Sequence, residues 1–317
     1  MLSLTPISLS KLTALVRLAL FHFLIGAGIA YLIGTLMARN ETGGVSFPAL
    51  CLGLSVVWLV QLATQFFNEY VDQPTDRANR YRTPLSGGSG ALLTGDLKAA
   101  SALRAGCVAL LLAAVLCLSL TALPTFGFAT LTIFGLAVVG AVGYSVPPLA
   151  LANRGWGEID TAVIAALLVP LFGYNLQTGR VSLTLILTCL PFAALILANM
   201  LNVAFPDYEA DQGVGKRTWV VILGPERAAR VYSVLLIAGY ATPWLTLGWG
   251  LPLAVLLAEA ATLPLGLLSL REIGRGSYRQ PERYWRNTLF GASAVVAVGV
   301  AEMVGFIMAG STQAIGT

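Results

Sequence analysis

Long apolar stretches fill most of the chain, and short polar segments separate them at regular intervals. A spanning helix needs about 20 predominantly apolar residues. The pattern predicts nine, at 16–38, 47–68, 100–122, 127–146, 158–178, 181–203, 230–249, 251–270 and 286–310. Connections after the first, third, fifth and seventh are short and nearly uncharged. Those after the second, fourth, sixth and eighth are longer and polar. The expected fold class is an all-α membrane protein forming one domain over residues 1–317, with its helical core at about 15–310.

Composition excludes a soluble domain. Only 11% of the residues are charged and 57% are hydrophobic, whereas soluble domains carry about 25% charged residues. Mean hydropathy is +0.79. Cys51, Cys107, Cys117 and Cys189 all fall inside apolar runs. They read as small packed hydrophobes rather than as a disulfide framework or a zinc site. Residues 1–15 lack the pattern of a signal peptide, and the first apolar run is too long for one.

Charge sets the orientation. Of 19 Lys and Arg residues, only Arg39 and Arg180 lie on the side of the short loops. The positive-inside rule then makes the other face cytoplasmic. The N-terminus is expected in the cytoplasm and the C-terminus outside, where residues 311–317 carry no charge. A prokaryotic cell membrane is the expected location. The net charge of +4 follows from this asymmetry, and no nucleic-acid partner is expected.

Two acidic clusters sit at matching ends of apolar runs. One reads Asn68-Glu69-Tyr70-Val71-Asp72-Gln73-Pro74-Thr75-Asp76 and the other Asp207-Tyr208-Glu209-Ala210-Asp211. Asn68, Asp72 and Asp76 recur every four residues, as do Asp207 and Asp211, so on a helix each set keeps to one face. Pro74 lacks an N–H, so the first helix is expected to kink or end near Asp72, leaving Asp76 on a following turn. Pro206 suits the first turn of a helix beginning at Asp207. Carboxylates at a membrane boundary are costly to desolvate. Two or three per cluster suit Mg²⁺, which takes a few carboxylates and bridges to phosphates. Glu69 and Glu209 are offset from the aspartate faces and read as solvated loop acids.

Basic residues surround these clusters. Arg82, Arg154, Lys216 and Arg217 are candidate diphosphate contacts, by Arg forks and Lys point charges. Positive-inside bias alone would also put basic residues here, but Lys216 and Arg217 follow Asp211 closely, after Gly213 and Gly215. The run Ser86-Gly87-Gly88-Ser89-Gly90 offers backbone N–H groups to an anion. Tyr144, beside Pro147-Pro148, is a candidate for the substrate pocket, where an aromatic face stabilises a cation. Tyr174 and Asn175 lie toward the outer end, where packing or lipid contact is expected. The residues alone leave the roles of His22, Glu259 and Glu302 open.

The paired motifs resemble those of the UbiA superfamily of intramembrane prenyltransferases. Asn68, Asp72 and Asp76 match its first motif. Asp207 and Asp211 match the second, followed by Gly-Lys-Arg-Thr at Gly215–Thr218 and by Leu223-Gly224. The stretch from Tyr144 through Leu149 to Gly157-Glu158 is also similar to the family. The likeness spans roughly residues 15–305. Two departures stand out: Glu69 replaces the family's usual Asp, and Pro74 is unusual within the first motif.

The resemblance implies nine helices around a central cavity, with the active site at the cytoplasmic side and loops 69–99 and 205–229 capping it. It implies Mg²⁺ at Asn68, Asp72, Asp76, Asp207 and Asp211, and catalysis by the four aspartates. The implied reaction is transfer of a polyprenyl group from a polyprenyl diphosphate to an aromatic acceptor, within the lipid bilayer. Gly173–Gly179 and the Gly215–Gly224 tail resemble the branch that acts on 1,4-dihydroxy-2-naphthoate in menaquinone synthesis. Acceptors such as 4-hydroxybenzoate or homogentisate would use the same motifs. A terpene cyclase on the same scaffold would need no acceptor. An ion-coupled transporter is the alternative outside enzymes, although transporters place such acids near the midplane.

Overall fold

The computed structural model describes Thr13 and residues 17–95, 97–245 and 251–315. Lys11, the start of the first expected span at Val16, the end of the seventh at 246–249, and residues 316–317 of the expected external tail lie outside these. The helices are α1 (Phe21–Thr42), α2 (Phe47–Val71), α3 (Gln73–Ala78), α4 (Ala99–Ser119), α5 (Phe128–Gly143) and α6 (Gly157–Thr178). After them come α7 (Leu183–Ala204), α8 (Tyr208–Gly213), α9 (Trp219–Leu223), α10 (Pro225–Leu245), α11 (Leu253–Ala260), α12 (Leu263–Gly274) and α13 (Tyr284–Ile315). Among the described residues there is no strand, only an isolated bridge between Thr83 and Ser86.

Every expected span overlaps a helix or a helix pair, but the membrane-crossing set is smaller than nine. Among the described residues, six helices are long and apolar enough to cross a membrane, or seven if α11 and α12, bent by 43°, form one broken span. The two shortfalls have physical causes. α5 has 16 residues, about 24 Å at 1.5 Å each, against a hydrocarbon core of about 30 Å. α10 is described to Leu245, and it begins with Pro225-Glu226-Arg227 and carries Arg230 one turn later, which shortens its described apolar part.

Small residues draw the helices together. A Cβ on Gly34 of α1 would lie 1.8 Å from the Pro170 carbonyl oxygen of α6, and one on Gly173 would lie 2.4 Å from that of Tyr31. Backbone therefore meets backbone between α1 and α6, the close approach that small residues permit in membranes. Within α6 the turn Ile164–Leu168 is a π-helix, immediately before Pro170. A proline removes a donor from the ladder, and a π-bulge is one way to accommodate that. α4 buries Ala102, Gly106, Ala109, Ala113 and Cys117, while its Val108, Leu111, Leu112, Val115 and Leu118 face outward. Large apolar side chains on the outside and small ones inside suit lipid as the surrounding solvent.

Several polar groups within the bundle find partners. Tyr174 donates to Glu41 Oε2 at 2.5 Å, and Asn175 accepts from Thr130 Oγ1 at 2.6 Å, so both are packing residues. Glu259 of α11 and Glu302 of α13 share a hydrogen bond. His22 lies against Phe23, ring centroids 4.2 Å apart.

Candidate active site

The first acidic motif spans a helix break. α2 stops at Asp72, whose N–H still donates to Asn68 O at 2.8 Å, and α3 carries Pro74 in its first turn. A proline there costs no helical hydrogen bond, because the first N–H groups of a helix lack intrahelical partners. Asp76 follows on α3, its N–H bonded to Asp72 O at 2.9 Å. The second motif is built similarly. α7 ends at Ala204, Pro206 lies in the turn rather than inside a helix, and Asp207 stands at the cap of α8 with Asp211 one turn on.

The turn after α8 is a Schellman motif. Gly215, at φ +77°, takes the left-handed position; its N–H donates to Gln212 O at 3.2 Å, and the Lys216 N–H donates to Asp211 O at 2.9 Å. The chain reverses, and Lys216 turns back over the motif it follows. Its Nζ lies 2.7 Å from Asp72 Oδ2 and 3.9 Å from Asp211 Oδ1. Burial disfavours the Lys216 ammonium, but Asp72 and Asp211 outweigh that and hold its pKa above the ordinary value. One ammonium thus joins the two motifs.

Further bonds bring the motifs together. Asn79, just past α3, donates to Asp207 Oδ1 at 2.6 Å, and the Gly87 N–H also bonds Asp207. Asn68 donates to Asp72 Oδ2 at 2.9 Å and to Ser145 Oγ at 3.3 Å. Thr218 Oγ1 reaches Asp211 Oδ2 at 3.4 Å. A cleft of about 310 Å³ adjoins this seam, lined by residues of the first motif's tail (Asn79, Arg80, Tyr81) and of the second (Pro206, Glu209, Ala210).

Carboxylates here hold protons unusually well. Burial, then the neighbouring charges of Glu69 and Asp72, raises the Asp76 pKa to about 8. Burial, then Asp211, raises that of Asp207 to about 7. Burial, countered by Lys216, leaves Asp211 at about 6. The site carries more acid than its own cations neutralise. Asp211 Oδ1 is buried with no hydrogen-bond partner. Among the described residues no three carboxylates converge closely enough to form a ready metal cage; Lys216 stands between Asp72 and Asp211 instead.

The remaining sequence candidates fall differently. Arg82 is half-buried and donates to Gly88 O at 2.8 Å, inside the glycine loop. Arg154 and Arg217 are exposed, and their segments meet where the Arg217 N–H donates to Asn153 O at 3.2 Å. Tyr144 is half-buried and close enough to Lys216 for their charges to interact.

Glu69 corrects an expectation. Rather than being a solvated acid, it is 2% exposed and accepts from both the N–H and the Oγ of Ser89, the latter at 2.8 Å. Its offset from the aspartate face aims it at the glycine loop, which it pins. Gly88 is then held so close that a Cβ there would lie 2.2 Å from Asp76 Oδ2. Glu209 is exposed, as expected. Sequence reasoning missed Asn79, which carries no periodic signal. It quoted the stretches that hold Ser145, Glu158 and Thr218 without giving those residues a role.

Two acidic motifs at the ends of membrane-length helices are thus joined by a half-buried lysine in a polytopic helical protein. The chain belongs to the UbiA prenyltransferase family, whose pattern matches residues 12–308. Membership sets the transporter alternative aside: the protein is a prenyltransferase. It is 25% identical over 247 residues to the 1,4-dihydroxy-2-naphthoate octaprenyltransferase of Bacillus subtilis (strain 168), covering 71% of this chain and 74% of that protein. Its fold resembles the apo structure of a UbiA homologue from Aeropyrum pernix K1, with TM-score 0.66, 16% identity, and coverage of 89% of this chain and 97% of that one. It also resembles a UbiA homologue from Archaeoglobus fulgidus bound to DMAPP and Mg²⁺, with TM-score 0.56, 18% identity, and coverage of 93% and 99%.

Proposed function

We propose that this enzyme transfers a polyprenyl group from a polyprenyl diphosphate to an aromatic acceptor at the cytoplasmic side of a cell membrane. The observation that carries this reading is Lys216, held between Asp72 of one motif and Asp211 of the other. An excess of buried carboxylates around one ammonium suits a ligand that arrives with its own cations.

The donor set fits Mg²⁺. Its ligands are hard oxygens, Asp211 Oδ1, which makes no hydrogen bond, is one of them, and carboxylates with raised pKa values are incompletely neutralised. Asp72, Asp76, Asp207 and Asp211 would hold the metal, with Asn68 assisting. When bound, magnesium supplies charge neutralisation to the diphosphate leaving group.

The chain's own residues do the rest. Lys216 and Arg82 take up the negative charge that grows on the diphosphate as the allylic C–O bond breaks and its electron pair leaves with oxygen. Arg154 and Arg217, exposed nearby, contact the diphosphate as it arrives. A carbon of the acceptor ring forms the new C–C bond, and aromaticity returns as the ring sheds a proton or, in the naphthoate, its carboxylate as CO2. Tyr144 lies by Lys216, where its ring face can steady the allylic cation. The loops at 69–99 and 205–229 exclude water, which would otherwise hydrolyse the cation.

For the acceptor we infer 1,4-dihydroxy-2-naphthoate, which would make the product a menaquinone precursor. The support is the likeness to the Bacillus subtilis enzyme together with the Gly173–Gly179 stretch. Membranes containing the protein, given a labelled prenyl diphosphate and a panel of aromatic acids, test both levels. A prenylated product formed from 1,4-dihydroxy-2-naphthoate, with its carboxylate released as CO2, is expected. Prenylation of 4-hydroxybenzoate or homogentisate alone would overturn the acceptor and keep the reaction class. Diphosphate release needing no acceptor would favour a cyclase.

A further inference from the structure

The chain just after Lys216 meets a second contact surface, formed by the turn that leads into α6. Three hydrogen bonds tie that turn to the chain just after Lys216. The Arg217 N–H donates to Asn153 O at 3.2 Å. Trp219 Nε1 donates to Gly155 O at 2.9 Å. The Trp219 backbone N–H donates to Glu158 Oε1 at 2.7 Å, bridging 61 residues of chain. Only the last uses a side-chain acceptor, so a substitution at Glu158 removes it and leaves the Trp219 side chain and its bond to Gly155 in place.

An acid in the first turn of a helix is ordinary, because it faces the positive end of the helix dipole. Glu158 differs in two respects. It is 3% exposed, which for a carboxylate is costly unless the bonds it makes compensate. Its second oxygen, Oε2, is buried without a hydrogen-bond partner, and its charge acts on Lys216, Tyr144 and Asp211. A carboxylate that only capped its own helix would have no need to lie so close to these three groups. The Schellman turn fixes the chain before Lys216, and Glu158 fixes the chain after it. A four-carbon side chain has many rotamers, so reaching Asp72 and Asp211 together requires its backbone to be held on both sides.

We propose that Glu158 is a positioning residue for diphosphate binding: through the Trp219 N–H it holds Lys216 where both acidic motifs, and the diphosphate, meet it. This rests on the functional reading above, that a prenyl diphosphate binds at the two motifs.

The test compares Glu158→Ala with Glu158→Gln in the full-length purified protein, by hydrogen exchange and by geranyl diphosphate binding in the presence of Mg²⁺. Losing a buried bond to a charged group should speed exchange over 216–219 by about 10-fold or more and weaken geranyl diphosphate by about 10-fold. Exchange in α4 and α13 should stay unchanged. Glu158→Gln keeps an oxygen for the Trp219 N–H and should restore both readouts to within about 3-fold. Unchanged exchange over 216–219 in Glu158→Ala, loosening of the whole bundle, or a Gln variant as impaired as the Ala variant would each overturn the proposal. Native protein that binds no geranyl diphosphate overturns the functional reading. Native binding with undiminished affinity in Glu158→Ala overturns this inference alone.

Discussion

Lys216 Nζ lies 2.7 Å from Asp72 Oδ2, joining residues 144 positions apart. With Asp211 Oδ1 at 3.9 Å on its other side, it is the charge that lets two acidic motifs share one space. Its removal should harm the diphosphate substrate most. In Lys216→Gln the KM for the prenyl diphosphate should rise by about 10-fold or more, from the loss of a charged contact, while the acceptor KM moves little. Equal loss for both substrates, measured by steady-state kinetics, would indicate a general folding role.

Asp72, Asp76, Asp207 and Asp211 are expected to hold the metal. Alanine at any one should lower turnover by about 10²–10³, the scale of losing one preorganised electrostatic contact to a transition state. The variants should still insert and elute as native protein. Near-native turnover in Asp72→Ala or Asp207→Ala would sink the metal assignment.

Gly88 and Gly95 offer a matched pair. Both have left-handed backbones, φ +69° and +78°, but a Cβ on Gly88 would lie 2.2 Å from Asp76 Oδ2, whereas one on Gly95 meets nothing within 4 Å. The backbone strain of an alanine, about 1–2 kcal/mol, is common to both. Gly88→Ala should therefore lose about 10-fold more activity than Gly95→Ala, since it also displaces Asp76, the carboxylate proposed to hold the metal. Equal activities would mean that Asp76 tolerates the shift.

Stability should depend on pH through the same carboxylates. Asp76, Asp207 and Asp211 have folded pKa values of about 8, 7 and 6, against 3.8 when free. Between about pH 4 and 8 the folded state then binds more protons than the unfolded state, so stability falls as pH rises through that window. In chelator, the midpoint of thermal unfolding should drop from pH 5 to pH 8. Added Mg²⁺ competes with those protons and should raise the midpoint more at pH 8 than at pH 5. A metal response independent of pH would contradict the assignment.

Topology is testable by labelling. On the nine-span topology expected from the sequence, all but Arg39 and Arg180 of the 19 basic residues lie on the face with the acidic motifs, so a cysteine placed within residues 311–317 should react from outside in intact cells. Reaction only after permeabilisation would mean an even number of crossings.

Much of this protein was legible in its sequence because a bilayer imposes a simple rule: spanning helices must be long and apolar. That rule located the helical segments, and Pro74 placed the break that separates Asp72 from Asp76. The four-residue spacings marked both acidic motifs for the same reason, since spacing along one helix is a local property. Spacing could not say what Glu69 meets. Being off the aspartate face, it looked solvated, yet it is buried against Ser89 because a distant loop folds over it. Nor could apolar length alone settle the number of crossings, because α5 is short and the pair α11–α12 is bent. The pairing of Asn79 with Asp207, the grip of Glu158 on Trp219 and the bridge from Lys216 to Asp72 all join residues far apart in the chain. No local pattern encodes such contacts. They exist because α2 and α7 bring their broken ends to one place, where buried carboxylates must find partners in the loops that close over them.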